Sequence, residues 1–121
     1  MSALELIEVR ISAPDQDTAE SIARGLVESR LAACAQVLPQ MTSIYHWKGE
    51  LEQAREHLIL AKTTAGHFEA ICARVGGEHP YDTPEIVALP ITHSSAAYAV
   101  WLADSVALDF DDVEPSEEAD L

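Results

Sequence analysis

The chain has 121 residues, 48% of them hydrophobic, which suits one domain with a continuous apolar core and excludes two independent cores or disorder throughout. Seven Lys and Arg against 21 Asp and Glu leave a formal charge of −14, a field that repels nucleic acid and anionic membrane surfaces. Eight of the acids fall between Asp104 and Leu121 with no base among them, so the body of the chain is only mildly acidic. Cys34 and Cys72 sit in apolar runs without CxxC spacing, which fits reduced thiols and a cytoplasmic location. No apolar stretch approaches the ~20 residues of a membrane span, and Met1 to Ile11 lacks the pattern of a signal peptide.

Leu4 to Ile11 alternates apolar and polar residues and reads as a first strand. Asp17 with Glu20 resembles a capping box, and Ala19, Ile22, Ala23, Leu26, Val27 and Leu31 recur at helical spacing, predicting a helix over Thr18 to Leu31. Two extended stretches follow, Ala33 to Trp47 and Leu51 to Thr64, joined by Lys48-Gly49-Glu50, where Gly49 supplies the positive φ of a tight hairpin. Pro39 marks an irregularity in the first of them. Thr64 is expected to cap a second helix over Gly66 to Val75, with Cys72 on its inner face and Gly76-Gly77 stopping it. Glu85 to Ile91 reads as a buried strand, and Ser95 to Val106 as a third helix with Tyr98, Trp101, Leu102 and Ser105 on one stripe.

The order βα-ββ-αβ-α is that of an α+β, ferredoxin-like split βαβ sandwich with a long central hairpin and a C-terminal helix. We take residues 1–107 as the domain and 108–121 as an acidic, disordered tail. Hairpin arms of about 14 residues span ~46 Å, whereas a compact chain of this length is ~35 Å across. The hairpin therefore overhangs its own domain and exposes Ile44, Tyr45, Trp47 and other apolar side chains, which predicts a closed oligomer.

Chemistry is sparse. Cys34 and Cys72 read as core thiols with no reason to ionise, Ser94 and Ser95 as caps, His67 and His93 as surface or capping residues. The five glycines make no phosphate cradle, and no nucleophile can be paired with a base, so the chain reads as a non-enzyme. One polar cluster remains, Glu78-His79-Pro80-Tyr81-Asp82-Thr83-Pro84-Glu85. Two readings of it stand: His with carboxylates binding a borderline divalent metal, or His79 and Glu85 hydrogen-bonding the loop in place while Tyr81 packs.

Ser43-Ile44-Tyr45-His46-Trp47-Lys48-Gly49-Glu50-Leu51, Lys62-Thr63-Thr64, His79-Pro80-Tyr81-Asp82-Thr83-Pro84-Glu85-Ile86, Tyr98-x-x-Trp101 and Arg30-Leu31-Ala32-Ala33-Cys34 together resemble the CutA divalent-cation tolerance family. The similarity runs from about Leu6 to Val106. It implies a cytoplasmic homotrimer of PII-like architecture with hairpins exchanged between subunits, associated with tolerance to copper and other divalent ions and without an established catalytic activity. In copper-binding members the ligands are a cysteine at the end of the first strand and two histidines before the Pro-Tyr. Here His79 matches the second histidine, while Ile11 stands at the thiol position and Glu78 at the first histidine. The expected metal site is therefore His79 with Glu78 and Glu85, weak, suited to copper or zinc and not required for folding. The rival reading is a PII-like module whose cleft near Tyr81 and Trp47 accepts a small molecule or a protein, with no specific metal role.

Overall fold

The computed structural model describes residues 4–107. Strand β1 (Leu6–Ala13) lies at the centre of a four-stranded antiparallel sheet in the order β2-β3-β1-β4. Its alternation places Ile7, Val9, Ile11 and Ala13 in the core, while Leu6 turns to the other face. The strand starts two residues later than the sequence pattern suggests, leaving Leu4 exposed.

Helix α1 (Gln16–Glu28) is capped by Asp15, whose carboxylate accepts the Thr18 amide at 2.7 Å; Asp17, the expected cap, lies in the first turn. Ser29 and Arg30 end the helix short of Leu31, with Arg30 at φ 62 and the Leu31 and Ala32 amides donating back to the Leu26 carbonyl. Ala19, Ile22, Ala23 and Leu26 bury the inner face of α1 against β1 and β3.

Strands β2 (Cys34–Trp47) and β3 (Glu50–Thr64) form the long hairpin. Lys48 (φ 52) and Gly49 (φ 82) make the two-residue turn, both left-handed as a type I′ turn requires. The irregularity expected at Pro39 is a bulge between Leu38 and Met41, where the ladder resumes opposite Glu56.

A 3₁₀ turn (Ala65–His67) leads into α2 (Phe68–Glu78), which buries Ile71 and Val75 in the same core. Gly76 and Gly77 do not stop this helix; it runs through them and ends at His79, which is extended (ψ 138) because it precedes Pro80. His67 stands at the N-cap position of α2 but is buried, not at the surface, and its side chain makes no cap bond: its Nδ1 meets the Thr64 hydroxyl at 2.7 Å and its Nε2 bonds the Ala107 carbonyl, tying the end of the described chain to β3.

Among the described residues strand β4 (Ile86–Pro90) is an edge strand pairing with β1 alone, and Val87 and Leu89 are exposed where the apolar run predicts burial. Helix α3 (Ala96–Ser105), capped by Ser95, buries Leu102 with Val106 against Ala33 and Leu6. Tyr98 and Trp101, expected on that buried stripe, stack on each other with centroids 5.4 Å apart and stay exposed. The architecture is the ferredoxin-like α+β sandwich; the acidic segment 108–121 lies outside the described residues.

Candidate functional site

The polar cluster of the sequence folds against the end of β1. Because Pro80 forces His79 out of the helix, the imidazole turns back under the sheet and is only 9% exposed. Its Nε2 lies 2.7 Å from the Ser12 carbonyl, an atom that can only accept, so Nε2 carries the proton. Its Nδ1 accepts the Tyr81 amide at 3.1 Å, so that nitrogen supplies the lone pair. One neutral tautomer satisfies both bonds, and no ring nitrogen is left over.

The same bonds aim Tyr81. Its ring tilts against His79 with centroids 5.0 Å apart, and its hydroxyl donates to Glu56 Oε2 at 3.0 Å. Burial, the bond to Glu56 and the nearby charge of Glu56 and Asp15, with Tyr45 also in range, push the phenol up to about 12, so it stays a donor at all physiological pH. Glu56 itself is 6% exposed and forms no ion pair among the described residues. It was not among the sequence candidates. The signal was the polar triplet Arg55-Glu56-His57 opening an otherwise apolar half-strand opposite the bulge, but nothing local linked it to a tyrosine 25 residues away.

Next to Glu56, His57 is buried and its Nδ1 has no hydrogen-bond partner among the described residues. Asp15, held below the usual carboxylate range by the Thr18 amide and hydroxyl, also feels the field of His57.

The other expected site residues lie apart. Glu78 is exposed at the end of α2, its carboxylate 3.8 Å from Arg74. Glu85 is exposed just before β4. Trp47 sits at the hairpin tip with Lys48 over its ring at 5.8 Å, six residue steps, about 20 Å, along the ladder from the Glu56 level. One chain alone does not bring Trp47 to Tyr81.

The cysteines are half-buried where full burial is expected. Burial, then the charge of Glu69, pushes the Cys72 thiol up. The Cys34 sulfur lies 3.5 Å from the Tyr98 hydroxyl, and that bond, with burial, pushes the Tyr98 phenol up to about 12. A thiol pushed up in this way, as at Cys72, is not an activated nucleophile.

A split βαβ sheet with two helices on one face and a half-buried tyrosine bonded to a buried carboxylate at the end of its central strand defines a ferredoxin-like domain whose polar side chains hold one another. Residues 7–105 match the family described as CutA1 divalent ion tolerance protein, and the chain belongs to that family. A relative from Citrobacter koseri, "Divalent-cation tolerance protein CutA", is 42% identical over 106 residues, 88% of this chain and 92% of the relative. The divalent cation tolerance protein (Cut A1) structure from Thermus thermophilus superposes with a TM-score of 0.82 at 44% identity, covering 84% of this chain and 99% of that one. A structure described as the periplasmic divalent cation tolerance protein CutA from Archaeoglobus fulgidus superposes with a TM-score of 0.81 at 32% identity, over the same shares.

Proposed function

We propose that this CutA-family chain is a cytoplasmic homotrimer that responds to divalent metal ions such as copper or zinc and catalyses no reaction. The observation that carries assembly is the hairpin: Ile44 is 65% exposed and Leu51 69%, with Tyr45 and Trp47 beside them and edge strand β4 presenting Val87 and Leu89. Apolar strand faces on this scale are covered in stable proteins, and a second and third copy supply matching surfaces. Family membership and the acidic charge support the cation response. Glu78 and Glu85, both open to solvent, are among the carboxylates available to such an ion, and two free cysteines support a reducing compartment.

The test is calorimetric titration of the full chain with copper(II) and zinc(II), with mass by light scattering on the same sample. Saturable binding at a three-chain mass supports the reading; absence of binding, or a single-chain mass, removes the corresponding half. Cell fractionation tests the compartment.

One observation favours the second reading, a PII-like ligand module. Glu56 is a buried carboxylate that accepts the Tyr81 hydroxyl and forms no ion pair among the described residues. In an assembly the hairpin of one copy can bring its Trp47 toward Tyr81 of another. A metabolite thermal-shift screen tests this, since a ligand at ~100 times its Kd adds ~2.7 kcal/mol of stability.

A further inference from the structure

We infer that His79 is a positioning residue, a clasp between β1 and the α2–β4 connection, and that it does not ligate metal in this chain. The three positions where the family resemblance places copper ligands do not fit a soft ion. Ile11 offers an aliphatic side chain, fully buried in the core, where a thiolate would stand. Glu78 faces the Arg74 guanidinium at the surface. Among the described residues no three His, Cys, Asp or Glu side chains converge on one point.

The one lone pair of His79 is already engaged. An ion approaching Nδ1 displaces the Tyr81 amide, which then loses its acceptor. An ion approaching Nε2 displaces the proton donated to Ser12 and must fit beside a carbonyl oxygen only 2.7 Å away. Either route leaves a backbone group unpaired in a site that is nine-tenths closed.

The same bonds explain what the imidazole is for. The path runs from the Ser12 carbonyl through both imidazole nitrogens to the Tyr81 amide, and through the phenol to Glu56, so β1, the connection and β3 are joined by side chains at one point. The ring fixes where the Tyr81 backbone sits, and that placement delivers the phenol to a carboxylate away from water. This inference takes the position of the family's metal site from the family reading but stands apart from the cation response, which exposed Glu78 and Glu85 can serve.

The test uses the uniformly ¹⁵N- and ¹³C-labelled full chain titrated with zinc chloride and followed through its imidazole nitrogens, beside calorimetry with zinc and copper chlorides on wild type and His79→Ala. His79 is expected to remain the Nε2–H tautomer with unshifted ring nitrogens at saturating zinc, and His79→Ala to bind either ion within about two-fold of wild type. In that variant the Tyr81 phenol is expected to part from Glu56, read as loss of the nuclear Overhauser contact between the Tyr81 ring and the Glu56 side chain. Zinc-dependent shifts of the His79 nitrogens, or a loss of affinity of about ten-fold or more in His79→Ala, overturn the inference. So does a Tyr81–Glu56 contact that persists in the variant. If wild type binds neither ion, the cation response falls while the tautomer still decides the clasp; if the variant does not fold, the wild-type spectrum alone decides it.

Discussion

Tyr81 donates its phenolic proton to Glu56 Oε2 across 3.0 Å, and this one bond connects the α2–β4 connection to the middle of the long hairpin strand. Among the described residues it is the hydrogen bond that compensates the Glu56 carboxylate for lost hydration.

Replacing Tyr81 by Phe keeps the ring against His79 and removes that bond. A buried acceptor left without its donor costs about 1–3 kcal/mol, so Tyr81→Phe is expected to lower the unfolding free energy read from urea titration by that amount, and Tyr81→Phe combined with Glu56→Leu to recover part of it. An additive double variant contradicts the coupling.

The same phenol predicts an alkaline limb. Its folded-state value is raised to about 12 from the ordinary 10, and that of Tyr98 likewise, so the folded chain keeps protons that the unfolded chain has released. The stability they contribute is complete below pH 10 and is lost as pH rises from 10 toward 12. Denaturation midpoints across that window should fall in wild type and fall less steeply in Tyr81→Phe; an equal slope contradicts the assignment.

His57 buries an Nδ1 that nothing in the described chain satisfies. An apolar residue of similar volume removes that penalty, so His57→Leu is expected to raise stability by about 1 kcal/mol, read as a higher thermal midpoint. A lower midpoint would show that assembly provides the missing partner.

Gly25 lies mid-helix beneath Arg74, whose Nη2 would meet an added Cβ at 2.8 Å. That atom is the far end of a flexible side chain and its ion pair with Glu78 is exposed and long at 3.8 Å, so little is lost by moving it. Gly25→Ala gains ~0.5–1 kcal/mol of helix propensity, and calorimetry should show a net rise in melting temperature.

The elements themselves were legible because each carries its own period: alternation in β1, three-and-four spacing in α1, and Gly49 in the turn between two β-rich runs. The ends were less so, since Gly76 and Gly77 are read locally as a stop whereas packing of Ile71 and Val75 carries α2 on to the residue before Pro80. The run Ile86 to Pro90 looks the same whether a strand is buried by its own chain or awaits a neighbouring copy. His67 and Glu56 were missed for a shared reason. Each is explained by a partner distant in sequence, Ala107 for one and Tyr81 for the other, and no spacing rule reports such pairs. At His79 the hydrogen-bonding alternative could be written from residue types alone, but which nitrogen does what needs the Ser12 carbonyl in place.

Assembly through the hairpin is tested most directly by sedimentation velocity at micromolar concentration on wild type beside a variant carrying Ile44→Asp and Leu51→Asp. Both side chains are exposed within one chain, so the variant keeps its core and should fold. We expect a three-chain mass for wild type and a single-chain mass with unchanged far-ultraviolet circular dichroism for the variant. A single-chain mass for wild type, or an intact trimer in the variant, contradicts assembly through these strands.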